Sequence, residues 1–257
     1  MKNNLEKVII TGGAGFIGSN LADHLFKNGT KEILIVDDFS TGSMKNIEHL
    51  KNTNIINGRI EDIEDLETRL MGYDFCFHLA AGVGVKYIMD NVSKALNTNI
   101  EATHKIFSVC SKLNIPILID EFMALAEFND GNLNPIIVRL FNIIGPNQSS
   151  EFGMVVPKFV EAAIDNNDIT IHGTGEQTRS FTWVGDVVNY FRELALLEPY
   201  GEIFNIGQPE EISIKNLAEL IITKTNSSSK VEFISHEQEY GKAVSYTHLT
   251  LPTNDLV

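Results

Sequence analysis

A glycine-rich stretch near the start of the chain has the residue types and the spacing that hold phosphate groups. The run TGGAGFIGS, residues 11–19, follows the β-branched run 7–11 and opens an amphipathic segment. Gly12 allows a tight turn off a strand, Gly15 lets backbone N–H groups approach a pyrophosphate, and Gly18 permits close packing of a helix on a sheet. The positive end of that helix then faces the phosphates. The pattern predicts a dinucleotide-binding turn formed by Gly12, Gly15, Phe16, Ile17 and Gly18.

A carboxylate follows at the spacing expected for a ribose contact. Asp37 ends a second β-branched run, 19 residues after Gly18. A carboxylate at this place accepts hydrogen bonds from ribose hydroxyls and repels the extra phosphate of NADP, so NAD is favoured as the cofactor. Asp38 is assigned a supporting polar role in the loop. Leu79 and the small residues Ala80 and Ala81 lie at the end of a later strand, where the cofactor backbone must pass, and His78 before them is interpreted as a core histidine.

Short apolar runs alternate with helical patterns up to about residue 141, as expected of a parallel sheet with helices on both faces. Strands are predicted at 7–11, 32–37, 54–57, 74–79, 116–119 and 135–140, with an amphipathic helix from the glycine turn to about Asn28 and a long helix from about Val92 to Leu113. The fold class is therefore α/β, a doubly wound (Rossmann) parallel sheet. The turn-rich break at 145–150 ends the alternation. We assign residues 1–141 to an NAD-binding domain and 142–242 to a small substrate-binding region, with helices expected at 155–166, 185–197 and 214–225.

Composition excludes several other classes of protein. The 257 residues include 20 basic and 34 acidic side chains, for a net charge of −14. Such an acidic surface disfavours nucleic acid and anionic membranes as partners. The polar start of the chain and the lack of a long apolar run predict a cytoplasmic protein without a membrane anchor. Cys76 and Cys110 lie in apolar stretches without metal-ligand spacing, so we expect buried thiols and no metal site.

These residues resemble the extended short-chain dehydrogenase family, specifically its NAD-dependent nucleotide-sugar epimerases and dehydratases. The likeness extends to about Lys242 and is closest to enzymes similar to UDP-glucose 4-epimerase and UDP-glucuronate decarboxylase. Beyond the glycine turn and His78–Ala81, it is carried by the segments 36–42, 84–91, 98–100, 138–142, 145–146, 153–157, 177–181 and 204–207.

The resemblance implies a UDP-sugar substrate and a set of residues that bind it. Asn142 and Arg179 are expected to hold the substrate diphosphate, which suits an amide donor and a permanently charged guanidinium. Val155 and His172 are assigned to the substrate as well, although the family usually has an aromatic ring at the position of His172. Asn99 joins the cofactor residues through the segment 98–100. Arg59 is a second departure, because many relatives have an acidic residue there that contacts adenine.

The resemblance also implies a catalytic Tyr-x-x-x-Lys pair, and this sequence does not contain one. The residues four positions after its tyrosines are Phe77, Asn91, Leu194, Phe204, Val244 and Thr250. After the strand that ends at Ile119, the chain continues at once with what resembles the second half of the catalytic helix. Roughly three dozen residues of the family pattern are missing at 119/120. We expect either the remaining helix, 120 to about 129, to shift or the fifth strand to distort.

The last residues form a second departure from the family. From about Ala243 the chain reads VSYTHLTLPT, which resembles a translated sequencing-library adaptor, so residues 243–257 are interpreted as a non-native tail.

The leading hypothesis is an NAD-dependent UDP-sugar epimerase, internally deleted and inactive as written. The alternatives are a parent that decarboxylates UDP-glucuronate or dehydrates a nucleotide sugar, and a non-catalytic NAD-binding regulator. A damaged fold predicts exposed apolar surface near Phe122 and Phe128. Homodimerisation, common in the family, is doubtful because the cut falls in a helix of the dimer interface.

Overall fold

The computed structural model describes residues 5–81, 92–119, 124–150 and 154–235. The strands in these ranges are β1 Lys7–Thr11, β2 Glu32–Asp37, β3 Thr53–Asn57, β4 Phe75–His78, β5 Ile117–Ile119, β6 Pro135–Leu140, β7 Ile143–Ile144, β8 Ile169–His172, β9 Thr178–Ser180, β10 Thr182–Trp183, β11 Ile203–Ile206, β12 Glu211–Ser213 and β13 Val231–Ile234. The α-helices are α1 Phe16–Lys27, α2 Leu66–Leu70, α3 Val92–Leu113, α4 Ala124–Asn129, α5 Val155–Ile164, α6 Val184–Leu197 and α7 Ile214–Thr225.

Seven of these strands form one sheet in the order β11-β6-β5-β4-β1-β2-β3, and every adjacent pair in it is parallel. The strand order reverses direction between β1 and β4, as in doubly wound dinucleotide-binding sheets. The predicted fold class is confirmed. Ligands bind in such sheets at the carboxyl ends of the strands beside this reversal, which is where the glycine turn after β1 lies.

Two apolar layers cover the sheet because successive strand residues point to opposite faces. Val8 and Ile10 pack in one layer with α1 and α6, whereas Ile9 packs in the other with α2 and α3. Strands that are apolar on both faces explain the near-continuous β-branched runs of the sequence. Cys76 and Cys110 are both buried free thiols in the second layer, as expected.

By compactness the chain divides into two units that are not continuous in sequence. The first comprises residues 1–158 and 180–211, and the second comprises 159–179 and 212–257. The first unit therefore holds the seven-stranded sheet together with α6 and the short parallel pair β7/β10. The second unit holds α7 and the parallel pair β8/β13. Helix α6 and strand β11 lie after the predicted domain boundary at 141/142, yet by compactness they belong with the sheet.

Strand β5 keeps its register where the sequence departs from the family. Leu118 pairs with Phe77 of β4 and with Ile136 of β6, so no distortion is seen within Ile117–Ile119. Only four residues, 120–123, separate β5 from α4, and they lie outside the described residues, as does Phe122. Phe128 of α4 is half-buried, and a Cβ at Gly201 would collide with its ring. Phe128 is therefore not among the exposed large apolar side chains of the described residues, and the expectation for Phe122 stays untested.

None of the helices in the described ranges has the length and apolar character that a bilayer-spanning segment needs.

Candidate functional site

The turn after β1 is a tight backbone cradle in which a side chain at Gly12 has no room. Gly12 has a left-handed φ of +69°, and a Cβ there would lie 2.8 Å from the backbone nitrogen of Ala80. Its N–H donates to the carbonyl of Val36 at 2.8 Å, and its carbonyl accepts from the N–H of Gly15 at 3.2 Å. The turn is therefore hydrogen-bonded to β2 and lies directly against the residues that follow β4.

Helix α1 begins inside this cradle with its first turn uncapped by any side chain. Gly15 is the N-cap residue in an extended conformation, and the first turn contains no acidic residue. A Cβ at Gly18 would collide with the carbonyl oxygen of Gly12, so this glycine lets the helix start close against the turn itself. Uncapped N–H groups at the positive end of a helix are the usual setting for a bound phosphate.

Asp37 at the end of β2 is buried and fixed by two backbone donors. Its Oδ2 accepts from the N–H of Ala14 in the glycine turn at 2.8 Å, and its Oδ1 accepts from the N–H of Phe39 at 2.8 Å. Burial raises the pKa of Asp37, and these two hydrogen bonds partly oppose the rise. A carboxylate can accept about four hydrogen bonds in all, so both oxygens keep lone pairs for ribose hydroxyls.

The loop after β2 packs against the glycine turn and is hydrogen-bonded to it. The carbonyl of Ala14 accepts from the Ser43 N–H at 3.0 Å and from Asn46 Nδ2 at 2.9 Å. A Cβ at Gly42 would lie 2.9 Å from the carbonyl carbon of Ala14. Ala14 links the turn, the carboxylate of Asp37 and the loop through its main-chain atoms, so its side-chain type gives no sign of this role in the sequence. Asp38 is exposed, and its Oδ1 accepts from the Ser40 N–H at 2.9 Å.

His78 at the end of β4 is a buried core residue, as the sequence analysis interpreted it. Its Nδ1 lies 2.7 Å from Thr11 Oγ1, and its Nε2 lies 3.2 Å from Thr103 Oγ1. Because Thr11 Oγ1 also accepts from the Ala80 N–H at 3.2 Å, its own proton is best donated to Nδ1, which places the imidazole proton on Nε2. Burial lowers the pKa of His78 to about 4.

The predicted residues after β4 lie against the glycine turn. Leu79 donates its N–H to the carbonyl of Thr11 at 3.1 Å, and Ala81 is exposed at the same edge. Asn99 is one helical turn before Thr103 on α3, and α3 runs away from the carboxyl edge, so Asn99 lies nearer that edge than the His78 contact. The structure thus brings the residues assigned to the cofactor together within the first unit.

The substrate residues divide between the two units. In the first, Asn142 lies two residues after β6 in a left-handed conformation with φ +42° and an exposed side chain, and its carbonyl accepts from the Thr182 N–H at 3.1 Å. Val155 opens α5 and is half-buried. In the second unit, His172 ends β8, and the exposed Arg179 donates from Nη1 to the carbonyl of Thr178 at 2.7 Å. Their roles toward a substrate stay predictions.

The residues of the first unit fit an adenine dinucleotide. The glycine cradle leaves main-chain N–H groups open to a pyrophosphate, and the fixed carboxylate of Asp37 stands one strand away. A parallel sheet with these two features at its topological switch point defines a dinucleotide-binding protein of the Rossmann class.

Comparison with known proteins narrows this class to a family. Residues 9–122 match the family model GDP-mannose 4,6 dehydratase, and residues 119–207 match the model NAD dependent epimerase/dehydratase family. The chain is 32% identical to a UDP-N-acetyl-alpha-D-glucosaminuronate decarboxylase of Bacillus cytotoxicus, over 91% of this chain and 85% of that protein. It is 29% identical to UDP-glucuronic acid decarboxylase 1 of Xenopus tropicalis, where it spans only 64% of the relative's length.

A solved structure similar to this chain is the UDP-N-acetylglucosamine 4-epimerase of Methanobrevibacter ruminantium in complex with UDP-N-acetylmuramic acid. It superposes with a TM-score of 0.82 and 26% identity over 90% of this chain and 86% of that one. The chain belongs to the NAD-dependent epimerase/dehydratase family of nucleotide-sugar enzymes, and NAD is its cofactor.

Proposed function

We propose that this chain binds NAD and a UDP-linked sugar and that, as written, it turns the sugar over little or not at all. The observation that supports the proposed inactivity is that no tyrosine in the sequence is followed four residues later by a lysine. In this family that pair is expected to remove the proton from a sugar hydroxyl. NAD, when bound, supplies the acceptor for the accompanying hydride.

Two further observations support a missing segment at 119/120. The alignment with the Bacillus relative spans 275 positions but includes 91% of the 257 residues, about 234, so about 41 positions have no residue in this chain. The matches to the two family models also meet there, since one ends at residue 122 and the other begins at 119. Four residues between β5 and α4 leave no room for an active-site loop and the first turns of a helix.

The residues assigned to the two ligands can bind and orient them, and within the described ranges none of them is placed as a replacement base. Asp37 and the start of α1 would hold the cofactor, while Asn142 and Arg179 would hold the sugar nucleotide diphosphate. His78 is close to this edge, but both its ring nitrogens are within hydrogen-bond distance of threonine hydroxyls and it is buried. A histidine so placed cannot reach a sugar hydroxyl.

For the reaction of an intact parent, the first candidate is epimerisation of a UDP-sugar. The second is decarboxylation of a UDP-uronic acid, which the names of the Bacillus and Xenopus relatives favour. In both reactions the sugar is first oxidised to a ketone, and they differ in whether the C6 carboxylate then leaves. Residues in the missing segment would decide between the two reactions. The residues present in this chain are assigned only to binding, and they are the same for both candidates.

The test is calorimetric titration with NAD, followed by incubation with NAD and UDP-glucose, UDP-N-acetylglucosamine or UDP-glucuronate. We expect NAD binding, with NADH and product formation reduced by roughly 10²- to 10⁴-fold relative to an intact relative. Turnover at the relative's rate would overturn the assignment of inactivity. Absence of NAD binding would overturn the cofactor site. A chimera carrying the relative's segment between Ile119 and Asp120 would then distinguish epimer from decarboxylated product.

A further inference from the structure

A segment that follows β7 is hydrogen-bonded to the start of α1 by two side chains. Asn20 Nδ2 donates to the carbonyl of Pro146 at 2.9 Å, and Asn147 Nδ2 donates to Ser19 Oγ at 3.0 Å. Ser19 and Asn20 directly follow Gly18 of the glycine turn. All of these residues belong to the first unit. We call the two hydrogen bonds the α1 bridge.

The bridged segment is continuous with Asn142, which is assigned to the substrate diphosphate. Asn142 and Asn147 both have a left-handed backbone, with φ +42° and +66°, and such a conformation depends on surrounding contacts in any residue except glycine. Gln148 Nε2 donates to the carbonyl of Ile143 at 2.9 Å and closes the turn between them. The Thr182 N–H holds the carbonyl of Asn142 on the other side. Asn142 is therefore connected to the α1 bridge through a single hydrogen-bonded turn.

The other end of the α1 bridge is the part of the helix that is expected to bind the pyrophosphate. The uncapped N–H groups of α1 lie in its first turn, which begins at Phe16. Ser19 Oγ donates to the Phe16 carbonyl at 3.2 Å, and Asn20 Nδ2 donates to the same carbonyl at 2.8 Å. Asn20 thus uses its amide group on both the first turn of α1 and the substrate segment. Fixing either part by a ligand lowers the conformational entropy that the other part still has to lose.

We propose that Asn20, together with Asn147, is a positioning residue that makes the binding of NAD and of the sugar-nucleotide diphosphate mutually favourable. The inference rests on the proposed function, because it requires the chain to bind both ligands. Asn20 acts through the segment 145–148 on Asn142 and needs no contact with either ligand. Coupling between two binding equilibria is reciprocal, so NAD must tighten UDP by the same factor by which UDP tightens NAD.

Calorimetric titration measures this factor. The dissociation constant of NAD is determined without UDP and with saturating UDP, and that of UDP without and with saturating NAD. For the native chain we expect each ligand to tighten the other by roughly fivefold or more. Asn20→Ala and Asn147→Gly each disrupt the α1 bridge, and glycine at position 147 keeps the left-handed backbone. In both variants the factor should fall toward one, while NAD alone binds with native affinity.

Asn28→Ala is the matched control. Asn28 Nδ2 donates to the carbonyl of His24, four residues before it, at 2.8 Å, just as Asn20 Nδ2 donates to the carbonyl of Phe16. Asn28 lies at the opposite end of α1. This variant loses the same kind of bond within the helix and should keep the native coupling factor.

A native factor of one, with both ligands bound, overturns the coupling and leaves the proposed function standing. A native factor that persists in Asn20→Ala and Asn147→Gly, or one that Asn28→Ala also loses, overturns the role of the α1 bridge. If the native chain fails to bind NAD or UDP, the proposed function fails and this inference fails with it. Should Asn20→Ala not fold by circular dichroism, Asn147→Gly alone decides, because it leaves the residues of α1 unchanged. A weaker affinity for NAD alone with an unchanged factor indicates a structural role only and refutes the proposal.

Discussion

Single atoms decide whether the phosphate end of the site can form. At Gly12 and Gly18 the missing atom is a Cβ, and the group in its way is main chain in both cases: the Ala80 nitrogen for Gly12 and the Gly12 carbonyl for Gly18. Backbone cannot move aside as a flexible side chain can. Glycine is therefore required at both positions because the end of β4, the turn and the start of α1 pack backbone against backbone.

Replacing Gly18 with alanine tests this convergence. The new Cβ must push α1 away from the Gly12 carbonyl, so we expect a loss of about 1–3 kcal/mol in the free energy of unfolding. The displaced N–H groups should also weaken NAD binding by roughly tenfold or more. Gly58→Ala is the matched control, because its nearest neighbour would be 3.9 Å away. Denaturant titration and calorimetry measure both effects, and equal behaviour of the two variants would contradict the argument.

The local sequence pattern was enough to predict Asp37 as the ribose-binding carboxylate, but not the hydrogen bonds that fix its side chain. Its place at the end of a β-branched run and its distance from Gly18 are visible in the sequence, and both depend on one βαβ unit. Its hydrogen bond from Ala14 depends on the turn folding over β2, and the support of Ala14 by Asn46 depends on a loop 32 residues away. Such contacts are set by tertiary packing, so no local spacing reports them.

At the scale of elements, His78 joins three parts of the first unit. It lies on β4, its Nδ1 meets Thr11 of β1, and its Nε2 meets Thr103 of α3. The neutral ring satisfies both contacts and is buried, so a proton on Nδ1 would remove an acceptor and place a charge in the core. This junction supports the strand ends that carry Leu79 and Ala80.

Acid should therefore weaken the fold through His78. The unfolded chain binds this proton near pH 6.5, but the folded chain binds it only near pH 4. Stability from the neutral ring is complete above pH 6.5 and falls as the pH drops toward 4, by up to about 3 kcal/mol. In His78→Gln, urea titrations across this range should show a shallower fall. The exposed His104→Gln is the control, and a native-like slope in His78→Gln would disprove the coupling.

Element prediction succeeded for long elements with a regular apolar pattern and missed the shortest elements. The bounds of β1, β2, β6, α3 and α7 agree with those predicted from the sequence, because buried parallel strands and long amphipathic helices have strong patterns. Helix α2 has only five residues, and β7 and β10 have two each. Elements so short span little more than one period, which is too little for a pattern, so contacts with distant parts of the chain decide whether they form.

For the molecule as a whole, the two compact units separate the residues assigned to the cofactor from two of those assigned to the substrate. The glycine turn and Asp37 belong to the first unit, whereas His172 and Arg179 belong to the second. Ligand binding raises the stability of the part that holds the ligand. NAD should therefore act on the first unit, and this can be observed because the single tryptophan, Trp183, lies in it and is 50% exposed.

We expect NAD at about 100 times its dissociation constant to add about 2.7 kcal/mol to the stability of the first unit. Heating monitored by Trp183 fluorescence should then show a cooperative transition that moves to higher temperature with NAD. This outcome supports a folded NAD-binding chain, as the regulator hypothesis requires, because a chain damaged by loss of a segment predicts a broad transition that NAD does not move. Repeating the scan with Gly18→Ala separates specific binding from a general effect of the nucleotide, since a tenfold weaker affinity should reduce the gain at the same NAD concentration to about 1.4 kcal/mol. A non-cooperative native transition, or an equal shift in the variant, would show that the shortened β5–α4 connection has cost the first unit its cofactor site.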